Sequence, residues 1–176
     1  GPAVQLVPLH RRGVDDAWMR KHANNGVFSQ FLSNFLPIPR KTVIHVLAVG
    51  DEETYGPNRN FDGFSRADNL TAHASFKDIG HVFKHHQNDD PFKAVGDVLQ
   101  TAHHDLMNRI ELLLSLDDEK CRNEVQAANR GEDIPVSMGS LQDFDLCSVC
   151  EHKAPTAQDH CDHIKNMLGL VLADAG

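Results

Sequence analysis

The sequence predicts an α+β fold with a small zinc-type hairpin near the C-terminus. Three observations carry this. The β-branched apolar run Thr42-Val43-Ile44-His45-Val46-Leu47-Ala48-Val49, closed by Gly50-Asp51, reads as a buried strand. Elsewhere apolar residues recur at three- and four-residue steps, the period of an amphipathic helix. Cys147-x2-Cys150 is separated by ten residues from Cys161-x-His163, a spacing that suits a metal.

The chain has 176 residues, enough for one domain with a real core. Gly1-Pro2 reads as the scar of a removed purification tag, leaving 3–176 as a single domain. No basic n-region followed by an apolar stretch suggests secretion. No apolar run approaches the ~20 residues of a membrane span, so no membrane partner is expected. The formal charge of −8 argues against a nucleic-acid-binding surface. Protonating all twelve histidines would reverse that sign, so the surface field depends on acidity below pH ~6.5.

The segment Asp15 to Leu36 carries Trp18, Met19, Val27, Phe28, Phe31, Leu32 and Phe35, and its later part reads as an amphipathic helix. Asn24-Asn25-Gly26 interrupts it, and Pro37 and Pro39 end it. His45, inside the predicted strand, reads as a hydrogen-bonded core histidine. Gly56 to Phe64 is a loop dense in turn formers. Ser65 is an N-cap for a helix running through Leu70 towards Phe76. Val82-Phe83 ends a strand, with His85-His86 at its mouth. Phe92 to Leu116 is ambiguous: its spacing reads as one helix, whereas His103-His104-Asp105 and Asn108-Arg109 allow a turn between Val95–Ala102 and Ile110–Leu116. Asp117 caps a helix from Asp118 to about Arg130, with Cys121, Val125 and Ala128 inward, and Gly131 ends it. Ile134 to Ser140 reads as a strand carrying small residues. Thr156 and Asp159 make a capping-box-like start to a last helix whose apolar face includes Ile164, Met167, Leu168 and Val171.

Two pairs of ligands at this spacing can close a tetrahedron around zinc, and thiolates prefer such a soft ion. Three ligands are Cys147, Cys150 and Cys161. The fourth is His163, His160 or His152, with His163 preferred. A closed site of this kind is structural. Residues 145–165 are thus a candidate zinc-binding hairpin and helix start. A second constellation pairs Ser137 with His86, since a serine nucleophile needs a base and imidazole supplies one near neutral pH. On spacing alone this pair is weak, and a buried strand hydroxyl is the plainer reading of Ser137. His81, His85 and His86 lie near Asp89 and Asp90. His81 and His85 share a metal only if helical, and otherwise read as solvated loop histidines.

The order Asn58-Arg59-Asn60-Phe61-Asp62-Gly63-Phe64, Leu70, Phe76, Val82-Phe83-Lys84-His85-His86-Gln87-Asn88-Asp89-Asp90-Pro91, Gly96 and Val136-Ser137-Met138-Gly139 resembles the prohead (head-maturation) serine proteases of tailed bacteriophages. These share a fold with the herpesvirus assembly protease. The resemblance spans about residues 43–165, including the cysteine hairpin after the serine segment. It departs at Phe61, where the family commonly has glycine. It implies a mostly antiparallel, barrel-like sheet with flanking helices, and favours the hairpin over the helix for Val95 to Leu116. It implies Ser137 as nucleophile, His86 as base and an acidic third member after the serine. Asp143, Asp145 and Asp162 are candidates, as is His163 if free of metal; Asp162 is preferred. The implied activity is cleavage of scaffold and capsid proteins inside the prohead, in the host cytoplasm, with self-cleavage and homo-oligomerisation open. An acidic residue before the cut is also implied. The competing class is a non-catalytic, zinc-stapled structural or interaction module of a virion.

Overall fold

In a computed structural model of the chain, residues 7–8, 26–85, 87, 89–132 and 136–170 are described. Two compact units are present: Gly1–Asn58 with Asp62–Met138, and Arg59–Phe61 with Gly139–Gly176.

The first unit is built on an antiparallel sheet. Its strands are β1 (Val7–Pro8), β2 (Lys41–Gly50), β3 (His81–Val82), β4 (Gly96–His104) and β5 (Arg109–Asp117), in the order β1-β2-β5-β4-β3. The sheet is open; no described strand closes it into a barrel. β2 matches the predicted apolar run. The ambiguous stretch resolves as the β4–β5 hairpin, paired from Gly96↔Leu116 to His104↔Arg109, with Asn108 left-handed in the turn (φ 51°). Helix-like spacing misleads here because β5 is buried on both faces, so its apolar residues do not alternate with polar ones. A bulge between Val98 and Gln100 shifts the phase of β4 further. Gly96 is required by contact: a Cβ there would lie 2.3 Å from the Ser115 carbonyl oxygen.

Each sheet face has its own core. On one side Ile44, Val46, Ile110, Leu112, Leu114 and Leu116 pack with Cys121, Val125 and Ala128. On the other, Val43, Ala102 and Leu113 pack beneath Phe28, flanked by Phe31, Leu32 and Phe35. Phe28, Phe31 and Leu32 come from helix α1 (Val27–Ser33), with Phe35 just beyond its end, and Val125 and Ala128 come from α5 (Arg122–Asn129), with Cys121 as its N-cap. α1 begins directly after left-handed Gly26 (φ 78°), the predicted interruption. Trp18 and Met19 lie outside the described residues. Between β2 and β4 come α2 (Glu52–Tyr55), α3 (Arg66–Ala72) and α4 (Ser75–Asp78). Ser65 caps α3 by accepting the Asp68 N–H at 3.1 Å, as the sequence suggests. The helix predicted from Asp118 starts later, because the Asp117 carboxylate accepts the Glu119 and Lys120 N–H groups at 3.0 Å each and closes a turn first. Cys121, Val125 and Ala128 are buried as expected.

His45 is a paired core histidine. Its Nε2 lies 3.0 Å from Glu111 Oε2, Arg109 Nε donates to Glu111 Oε1 at 2.7 Å, and Phe28 meets the imidazole edge-on. Burial alone would raise the Glu111 pKa; the His45 hydrogen bond and charge, then those of Arg109, outweigh it and hold the group below its ordinary value.

The second unit contains the two-stranded pair β6 (Asp145–Leu146) and β7 (Lys153–Ala154), a 3-10 turn at Ala157–Asp159, and α6 (Asp162–Asn166). The last helix therefore starts at Asp162 and not at Thr156. Thr156 Oγ1 does bond Asp159 Oδ2 at 2.7 Å, but extended backbone at His160 and Cys161 ends the turn before α6 begins. Of its predicted apolar face, Ile164 and Met167 are half-buried, Leu168 is exposed, and Val171 lies outside the described residues. Phe61, where the resembled family commonly has glycine, adopts a left-handed φ of 67°. That backbone state favours glycine.

Candidate metal centre

The β6–β7 hairpin positions the first two sulfurs. The Cys147 N–H donates to the His152 carbonyl at 3.0 Å and the Glu151 N–H to the Cys147 carbonyl at 2.9 Å, with Glu151 left-handed (φ 58°). This tight knuckle turns the backbone N–H of Val149 onto Cys147 Sγ at 3.4 Å. The Cys150 N–H, then that of Val149, hold the Cys147 thiol down at about 6. A thiolate is the form that binds metal. The His152 N–H also favours the Cys150 thiolate, but desolvation and the adjoining Cys147 and Cys161 sulfurs outweigh it and raise that thiol. A bound cation would relieve this crowding of negative charge.

The second pair comes from the start of α6. Cys150 Sγ lies 3.6 Å from Cys161 Sγ, and Cys161 Sγ lies 3.9 Å from His163 Nδ1. All four ligand atoms of Cys147, Cys150, Cys161 and His163 fall within 4.8 Å of one another. A tetrahedral zinc with bonds of ~2.3 Å to sulfur and ~2.0–2.1 Å to nitrogen has S···S edges of ~3.8 Å and S···N edges of ~3.6 Å. The two measured separations sit beside those values. The other two candidate histidines are engaged elsewhere. His152 Nε2 meets the Asp159 carbonyl at 2.8 Å, and His160 Nε2 meets Asp145 Oδ2 at 2.8 Å. His163 is thus the fourth member of the cluster. Among the described residues this is the group of three or more His, Cys, Asp or Glu side chains placed to hold an ion.

The unit around the cluster is poor in apolar contacts. Of its described side chains, Cys147 and Ala154 are buried, while Leu141, Phe144, Leu146, Val149, Leu168 and Leu170 are exposed. A piece this small needs a staple.

The remaining predicted residues are placed as follows. Ser137 is exposed in an irregular segment; the strand expected there does not form over the described residues 136–140, which pair with no other strand. Small Ser137 and Gly139, with Val136 more than a third exposed, supply too little apolar surface to hold a strand. His86 lies outside the described residues. His85, just before it, is exposed and left-handed (φ 53°), following the end of β3 as expected. His81 sits in β3 with Nδ1 3.3 Å from Asp97 Oδ1, so it is not on a helix with His85. Asp162 is exposed at the start of α6 and accepts the Asn166 side-chain amide at 2.5 Å. Asp145 is the partner of His160, and Asp143 is exposed.

A polar network centred on buried Asp51, Asn69 and His103 escaped the sequence reading. His103 Nε2 lies 2.9 Å from Asp51 Oδ2, and its Nδ1 lies 2.9 Å from Asp105 Oδ1. Asn69 Nδ2 donates to Asp51 Oδ1 at 2.8 Å, and Arg66 reaches Asp51, Asp105 and Asn108. These groups satisfy one another and tie α3 to the β4–β5 turn. The His103-His104-Asp105 cluster was the available signal; Asp51 is too distant in sequence to have been paired with it.

Among the described residues, no helix is long and apolar enough to cross a membrane. Comparisons with protein-family models, curated proteins and solved structures find no match to this chain.

Proposed function

We propose that the cysteine–histidine tetrahedron holds a structural Zn²⁺ in a serine endopeptidase of the phage prohead type, with Ser137 as nucleophile, His86 as base and Asp162 as the third member. The zinc rests on one observation, the convergence of four ligand atoms within 4.8 Å in a unit with almost no buried apolar side chains. Three cysteines and a histidine leave no open coordination position, so the ion orders the chain and does not touch substrate. Asp162 sits between ligands Cys161 and His163, so the metal also fixes its backbone.

The endopeptidase reading rests on the motif order. The exposure of Ser137 supports it, since a nucleophile must meet a peptide. In this reading His86 takes the Ser137 hydroxyl proton as Oγ attacks the scissile carbonyl carbon. The protonated imidazole then gives that proton to the leaving amine, and water, activated by the same imidazole, hydrolyses the acyl-enzyme. Closure of the sheet towards a barrel, scaffold and capsid substrates, an acidic residue before the cut, self-cleavage and the prohead interior all belong to this reading. The test is cleavage of the scaffold protein from the same genome. Ser137→Ala and His86→Ala should each lose at least ~10³-fold in rate; cleavage by both at the parent rate overturns the assignment. The metal cluster equally suits a non-catalytic virion module. A parent protein with one equivalent of zinc and no cleavage would establish that alternative.

A further inference from the structure

We infer that Cys150 is an oxidation site, and that a peroxide converts the metal-bound Cys150 and Cys161 thiolates into a disulfide and expels the ion. The inference deepens the zinc reading and rests on it. The four cysteines differ sharply in access. Cys121 is buried against the sheet, with its thiol pushed up to about 11, mainly by desolvation. Cys147 is 3% exposed and its sulfur is already engaged by the Val149 N–H. Cys150 is exposed, and Cys161 is half-buried at its side. An incoming oxidant therefore meets Cys150 Sγ first.

The second step is set by distance. Cys161 Sγ lies 3.6 Å from Cys150 Sγ and comes from a separate turn of chain. A disulfide needs about 2.05 Å, so the sulfurs must close by roughly 1.5 Å. In the first step the Cys150 thiolate attacks one oxygen of hydrogen peroxide, forming S–O and breaking O–O. Hydroxide leaves and takes a proton to become water, and Cys150 becomes a sulfenic acid. The Cys161 thiolate then attacks that sulfur, forming S–S and breaking S–O, and the second hydroxide also leaves as water. Two thiolates are oxidised, one peroxide is reduced, and two protons are consumed. Zn²⁺ is left with Cys147 and His163 and departs.

The experiment uses the full chain carrying its native metal, with metal content measured first. Hydrogen peroxide is added stepwise, zinc release is followed with a chromogenic chelator, and unreduced peptides are mapped by mass spectrometry. The expected result is one zinc released per Cys150–Cys161 cross-link, reversed by dithiothreitol and added zinc. A metal-loaded protein that keeps its zinc at several equivalents of peroxide overturns the inference and leaves the zinc reading intact, as does release accompanied by a Cys147 cross-link. Protein purified without chelator and lacking zinc overturns the zinc reading itself, and coupled release with it.

Discussion

Removing the zinc proposed above should unfold the small unit and leave the sheet standing. The magnitudes decide this. Structural zinc in small peptides contributes about 10–16 kcal/mol at neutral pH. The buried apolar side chains of the unit's described part are Cys147 and Ala154. Together they contribute about 2 kcal/mol by their size. A zinc ion held by the cluster would therefore outweigh the packing by about fivefold or more. The assay is amide hydrogen exchange with and without a strong zinc chelator. Four amides report the unit's own hydrogen bonds: Cys147 to His152, Glu151 to Cys147, Lys165 to Cys161 and Met167 to His163, at 2.9–3.0 Å. Their exchange should accelerate by at least ~100-fold, or about 2.7 kcal/mol. Amides of β2, β4 and β5 should keep their rates, since no ligand lies in them. Equal protection of the four amides in metal-free and metal-loaded protein would refute the reasoning.

Two further outcomes concern the sheet. Glu111→Ala removes the buried carboxylate that faces His45 Nε2 and accepts from Arg109 Nε, and should cost about 3–5 kcal/mol in urea denaturation; a loss under ~1 kcal/mol would show that the pair is immaterial. Because the folded-state pKa of Glu111 is depressed, its ionisation stabilises the fold above the ordinary value of 4.5, and that contribution disappears as pH falls through the lower native value. The stability gap between parent and Glu111→Gln should accordingly shrink on acidification. Gly96→Ala would place a Cβ 2.3 Å from the Ser115 carbonyl oxygen. It should cost on the order of 1–3 kcal/mol, read as a lower urea midpoint; an unchanged midpoint would show that the hairpin absorbs the methyl freely.

Much of the sheet was legible because β2 is a continuous β-branched run with turn formers after it. The hairpin was legible only as an alternative, since a strand buried on both faces loses the alternation that separates it from a helix. Spacing identified the three cysteines of the cluster, as covalent proximity limits where a short turn can point its sulfurs. It left His152, His160 and His163 open. That choice was made by the Asp159 carbonyl and the Asp145 carboxylate, which engage the first two. Ser137 was expected on a strand because the segment around Val136 and Met138 is apolar, whereas a strand also needs a neighbour to pair with. The Asp51–His103 network stayed hidden because its members meet only after β2 and β4 have been brought together through β5.

The two-sided burial of β5 also has a kinetic side. The β4–β5 hairpin closes through a four-residue turn, Asp105–Asn108, a local event on the order of 1–10 μs. β2 must return from beyond the long excursion through α2, α3, α4 and β3, which is a slower search through chain conformations. Until it arrives, the edge of β5 that β2 will cover is unpaired, and Ile110 to Leu116 offer apolar side chains on both faces. Such an edge is a template for another copy of itself. Concentration during refolding therefore sets a race between two partners for the same strand, one within the chain and one outside it.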